Sequence, residues 1–172
     1  MTTTLFTNAH IATGEPGSTA ASTLPLQDIL VTDGVFTAFG PGLAQQYEAQ
    51  GGDLAAIEVV DLGGKLVCPP FCDTHLHLDY VFTARKPGAV NESGTLFEGI
   101  QRWSETKSDL TVDEIKQRAK IGIKKEMLHG VQLIRSHADV TDPNLTSLKA
   151  LLELKEELKD TVTLQIVSFP QE

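Results

Sequence analysis

A chain of 172 residues, 41% of them hydrophobic, is long enough to bury one medium-sized core. Its formal net charge of -9 repels nucleic acid and anionic membrane surfaces, which excludes both as partners and leaves small-molecule ligands. Met1 to Phe6 has neither a basic start nor a long apolar run, so no secretory signal or membrane span is expected and the protein reads as cytoplasmic.

The first third reads as β structure with a solvated acidic face. Leu5 to Thr13 is a candidate strand, Gly14 to Ser22 is loop-like, and the apolar runs 28–32 and 35–39 flank Asp33-Gly34. Asp-Gly in that setting predicts a hairpin, because a type I′ turn needs positive φ at both central positions. Ala56 to Val60 is a further strand, closed by the Gly63-Gly64 turn.

From Lys65 the rhythm becomes strand, helix, strand, helix, strand. An apolar strand starting at Lys65 ends in His75-Leu76-His77, and a long loop follows from about Tyr80 to Leu110. Loops of that length are often functional. Phe97, Ile100 and Trp103 within it suggest a short helical turn serving as a lid, a pocket wall or packing over a rim. Thr111 and Glu114 form a capping box and Gly130 ends the helix it opens, with Ile115, Ala119, Ile123 and Met127 as the apolar stripe. Val131 to Asp139 is the next strand. Asp142-Pro143 is expected to cap a second helix whose buried face carries Leu145, Leu148, Leu152 and Leu158. Thr161 to Phe169 is the last strand. Two successive βαβ units make a parallel sheet, either doubly wound or part of a barrel, and periodicity leaves the two open.

The chemistry concentrates at one strand end. Successive side chains of a strand alternate faces, so His75 and His77 project together and could grip one metal ion. Arg135, His137 and Asp139 share one parity and could line the same interior. His137 reads as structural rather than as a ligand, and Asp79 as a residue that could orient a ligand. His10 and His129 read as structural. Cys68 and Cys72, the only cysteines, lack the usual zinc spacing and read as apolar filler.

Residues 61–67 followed by Pro69-Pro70-Phe71-Cys72-Asp73-Thr74-His75-Leu76-His77 resemble the entry strand of the metal-dependent amidohydrolase superfamily. Ser93 to Trp103, Arg135 to Val140 and Leu164 to Glu172 look like the bacterial cytosine deaminases of the barrel type. The resemblance implies an α/β fold: residues 1–67 as part of a small β-sandwich, and residues 68–172 as the amino-terminal part of a (β/α)8 TIM barrel. A complete barrel takes roughly 250 residues, so the chain is expected to be part of a longer enzyme.

The implied reaction is cytosine plus water to uracil plus ammonia, with a hydroxide generated on one divalent ion, Fe2+ or Zn2+, attacking C4. His75 and His77 would be metal ligands, and Gln171 and Leu96 would bind the base, Gln171 through a side chain that both donates and accepts. The catalytic residues are expected on later strands, none within this chain. The other zinc deaminase solution needs H-x-E with P-C-x-x-C, which is absent. Two alternatives stand beside cytosine: a related hydrolase of aminotriazines or other cyclic amides, and a non-catalytic fragment or half of a split enzyme. The partner would then be the missing carboxyl-terminal part or a second copy. Alone, a three-stranded sheet leaves edges uncovered, which predicts poor solubility or oligomerisation.

Overall fold

The computed structural model describes residues 2–12, 25–86 and 88–170. Contacts divide the chain into two units, Met1–Pro69 and Pro70–Glu172. The expected loop at 14–22 lies outside the described residues.

In the first unit, β1 (Thr3–Ile11), β2 (Leu26–Thr32), β3 (Val35–Gly40), β4 (Glu58–Asp61) and β5 (Leu66–Val67) form one mixed sheet. Asp33 and Gly34 both have positive φ, 49° and 78°, as the hairpin turn between β2 and β3 requires. The central strand β1 pairs antiparallel with β2 and parallel with β4 and β5, with a register shift between Phe6 and Ala9 where Asn8 has φ 58°. Helix α1 (Leu43–Ala49) was not foreseen in the sequence. It starts after Gly42 in the left-handed region and is held by Asp28, whose carboxylate accepts from the backbone N–H groups of Leu43 and Asn8.

The second unit is a parallel sheet in the order β6 (Phe71–Leu76), β7 (Val131–Asp139), β8 (Thr163–Phe169). Three helices accompany it: α2 (Leu96–Lys107), α3 (Val112–Leu128) and α4 (Thr146–Glu157). The single strand expected from Lys65 is in fact two, since Leu66–Val67 pair with β1 and the second sheet starts at Phe71. Pro69-Pro70 explains the break, because proline offers no N–H to a ladder and pushes its predecessor out of regular pairing geometry.

Helix α3 follows its sequence signals. The Thr111 side chain accepts from the Glu114 N–H, and Ile115, Ala119 and Ile123 are buried. Helix α4 departs from them. Asp142 accepts from the N–H groups of Asn144 and Thr146 in a turn of its own, and the helix begins only after Leu145, which sits at φ 51°. The buried face carries Ser147, Ala150, Leu151 and Leu154; of the expected leucines, Leu148 and Leu158 pack partly buried against the core, and Leu145 and Leu152 are exposed. Cys68 and Cys72 are exposed free thiols rather than filler. Among the described residues no helix is long and apolar enough to cross a membrane.

Candidate metal centre

Strand β6 delivers the histidines through an irregular end. It pairs with β7 in register at Asp73 and Ile134, and the register shifts before Leu76 meets Ser136. The shift is held on both sides: Asp73 Oδ1 accepts from the His75 N–H at 2.9 Å, and Ser136 Oγ accepts from the Leu78 N–H at 3.1 Å. The result brings His75 Nε2 and His77 Nε2 to 3.3 Å from each other. With metal–nitrogen bonds of about 2.0–2.1 Å, two ligands of a tetrahedral ion stand about 3.3–3.4 Å apart. Without a metal, the same spacing suits a hydrogen bond in which one ring nitrogen carries the proton and the other accepts it.

The surroundings favour the neutral, electron-pair-bearing form of the His77 ring. Burial is the main reason the His77 imidazole is held below its ordinary range, followed by the neighbouring His75 and His137. His77 Nδ1 is buried beside the His137 backbone without a hydrogen bond of ordinary geometry. His137 stacks on His75 with ring centroids 4.1 Å apart, and Phe169 packs edge-on against His77 and His137. The donor set therefore fits two ligands of a divalent ion. Among the described residues no group of three or more His, Cys, Asp or Glu side chains is placed to hold one; His137 stacks on His75, and its Nδ1 is buried without a hydrogen bond of ordinary geometry.

Asp79 has a different place from the one its spacing suggests. It is fully buried, and its Oδ2 accepts from the Asp139 N–H at 2.9 Å instead of touching either imidazole. Burial pushes its carboxyl up to about 6. The turn after His77 is clamped from α3, where Arg118 donates to the carbonyls of Val81 at 2.6 Å and Asp79 at 2.9 Å.

The long loop contains a full helix, α2, where only a short turn was expected. Thr95 caps it by accepting from the Glu98 N–H, and Glu98 reaches back to the N–H groups of Glu92 and Ser93 and to the Ser93 hydroxyl. Those bonds hold the Glu98 carboxyl down to about 2. Between α2 and the Tyr80–Ala84 turn lies an open cavity of about 580 Å³, lined by Tyr80, Phe82, Thr83, Leu96, Ile100 and Trp103 among others. Tyr80 joins it to the histidines, with its ring centroid 5.1 Å from both His77 and Trp103. Leu96 is thus at the cavity, as the first residue of α2 and 72% exposed. Gln171 lies outside the described residues.

A buried polar centre went unforeseen. Asp139 Oδ2 accepts from Trp103 Nε1 at 2.6 Å and from Lys107 Nζ at 3.3 Å, while Oδ1 accepts from the N–H and hydroxyl of Thr141. Burial alone would raise this carboxyl, but the bonds from Thr141 and Trp103 and the Lys107 ammonium outweigh it and hold the group below its usual range. The one available signal was the only tryptophan of the chain, set in a loop with charged neighbours.

Residues 58–161 match the amidohydrolase family. N-isopropylammelide isopropyl amidohydrolase of Pseudomonas sp. (strain ADP) is 35% identical over 116 residues, covering 65% of this chain and 29% of that protein. Pterin deaminase of Rhizobium rhizogenes is 27% identical over 148 residues, covering 83% of this chain and 31% of that one. The structure of 5-methylcytosine deaminase from Klebsiella pneumoniae liganded with 5-fluorocytosine is similar over 98% of this chain and 37% of its own, with a TM-score of 0.79 and 39% identity. The chain spans about a third of the length of these relatives.

Proposed function

Since the chain belongs to the amidohydrolase family, a metal-dependent superfamily, we propose that it forms the metal-entry part of a hydrolase that removes the exocyclic amine of a small cyclic amidine, with a cytosine-type pyrimidine as substrate. The observation that carries this is the His75/His77 pair, with nitrogens 3.3 Å apart at the carboxyl end of β6 beside the Tyr80 cavity. Strand carboxyl ends are where α/β barrels place their chemistry. Residues 68–172 are then the first strands of a (β/α)8 barrel and residues 1–67 a portion of the accompanying β-sandwich.

Enzymes of this family use a divalent metal ion, and such an ion held here supplies Lewis acidity to hydrolysis of a C–N bond. His75 and His77 hold it through Nε2. Tyr80 and Phe169 pack against the His77 ring, and Leu96 offers the rim of α2 to the base. Gln171 pairs its amide with the mixed donor and acceptor edge of the ring. The groups that move protons during the reaction belong to residues beyond this chain. Likeness to 5-methylcytosine deaminase over nearly the whole chain supports the pyrimidine.

Aminotriazines are the second reading, favoured by the 35% identity to the N-isopropylammelide enzyme. A third reading, a chain inactive by itself, is favoured by the lack of a third ligand among the described residues. Release of ammonia from cytosine, 5-methylcytosine, isocytosine and aminotriazines, and of isopropylamine from N-isopropylammelide, measured with the Fe2+- or Zn2+-loaded chain and with a protein extended beyond Glu172, separates the three. Release from cytosines supports the main reading. Release from triazines alone replaces it, and activity confined to the extended protein establishes the third for this chain.

A further inference from the structure

Asp139 is 2% exposed yet touches four parts of the second unit. Its carboxylate takes Trp103 and Lys107 from α2 and Thr141 from the exit of β7. Its backbone N–H reaches Asp79, two residues after His77, and its register partner on β8 is Phe169, which packs on His77. A buried carboxylate that accepts charge-assisted bonds from two side chains of one helix fixes that helix in position and rotation, because each lost bond leaves a charge unsatisfied in a poorly solvated place. Beside these bonds α2 is held by Lys107 Nζ donating to the Thr141 hydroxyl and by the Trp103 ring against Tyr80; Trp103 is its only buried residue, and Leu96 and Phe97 stand out into solvent.

We infer that Asp139 is a positioning residue, which fixes α2, and with it Leu96 and the Trp103 wall of the cavity, against the strand that carries His75 and His77. The anchoring of α2 stands on the hydrogen bonds alone; its value for a metal-dependent reaction rests on the function proposed above. Asp139 holds the metal-bearing strand through its backbone and the cavity wall through its side chain, so the two functions are separable by substitution. Removing the carboxylate charge loosens the wall and leaves the histidines in place.

The test compares the 172-residue chain with Asp139→Asn, which keeps the shape and loses the charge, and with Trp103→Phe, which keeps an aromatic six-membered ring and loses the Nε1 donor with the ring that carries it. Amide exchange is followed in α2 and α3, and Co2+ serves as the probe of His75 and His77 through the pseudocontact shifts it imposes on α2 amides. In both variants α2 amides are expected to exchange about tenfold faster, with α3 within about twofold, the scale of losing one charge-assisted bond. Co2+ affinity stays within about threefold while the shifts on α2 shrink by more than about half, since a helix that samples several positions averages them. Unchanged α2 protection in both variants overturns the inference, as does equal loss in α2 and α3, which would make Asp139 a general structural residue. If Asp139→Asn does not fold, Trp103→Phe decides. Should the parent chain bind no Co2+, the metal reading falls, and the exchange comparison still decides the anchoring.

Discussion

Arg118 shows how a residue far from any ligand can set the geometry of two that are not. Its guanidinium donates to the carbonyls of Asp79 and Val81, two and four residues after His77, and it does so from a half-buried position on α3. Replacing it with methionine keeps the aliphatic stem and leaves both carbonyls short of a donor. We expect a loss of about 2–3 kcal/mol, typical of hydrogen bonds from a charged group, read as a lower denaturation midpoint with unchanged slope. Glu98 gives a pH-dependent counterpart. Its carboxyl lies at about 2 in the folded chain against an ordinary 4.5, chiefly through its bonds to Ser93. A folded-state value below the unfolded one contributes stability above the unfolded value and loses it as pH falls toward the folded one. Protection of the α2 amides should therefore hold above pH 4.5 and decline between there and about 2, and Glu98→Gln should abolish that dependence. The i, i+2 spacing made the nearness of His75 and His77 legible, whereas the register shift and the end of β6 at Leu76, through which the two rings meet, left no sign in the pattern. Asp139 with Trp103 and Lys107 was hidden, since a contact between residues 36 and 32 positions apart leaves no local pattern.

At the level of elements, α4 offers the sharpest contrast between pattern and packing. The leucines at 145, 148, 152 and 158 predict one face; the structure packs Leu148 and Leu158 partly against the core, but centres the buried face on Ala150, Leu151 and Leu154 and leaves Leu152 half exposed. Leu154→Ala should cost about 2–5 kcal/mol through the cavity it leaves. Leu152→Ala should fall within about 0.5 kcal/mol of the parent. Equal costs in thermal or chemical denaturation would contradict this placement of the buried face. The late start of α4 has a local cause: Asp142 bonds into its own turn, so the proline after it opens that turn instead of the helix, and the first residue of α4 comes four positions after Asp142. By contrast the capping box of α3 and the Asp33-Gly34 hairpin were readable because each is decided by residues within one turn of chain. The break at Pro69-Pro70 was readable in principle. The apolar run across it concealed that Leu66–Val67 and Phe71–Leu76 belong to different sheets.

For the molecule as a whole, the β6-β7-β8 sheet pairs each outer strand on one side only among the described residues. Unpaired strand edges are templates for other strands, and Phe71 and Leu128 add exposed apolar surface in the same unit. Sedimentation velocity of the chain should show association that grows with concentration, and a monodisperse monomer across the micromolar range would contradict this. The parallel order of the sheet followed from the alternation of strands and helices, whereas closure into a barrel belongs to the proposed reading, because three strands do not determine it. Everything functional converges on whether two imidazoles 3.3 Å apart constitute half of a metal site. Calorimetric titration with Zn2+ tests that directly. One ion per chain should bind, with affinity falling at least about a hundredfold in His77→Ala as a chelating ligand is lost, while circular dichroism stays that of the parent. No saturable binding, or binding that survives replacement of both His75 and His77, would contradict the account.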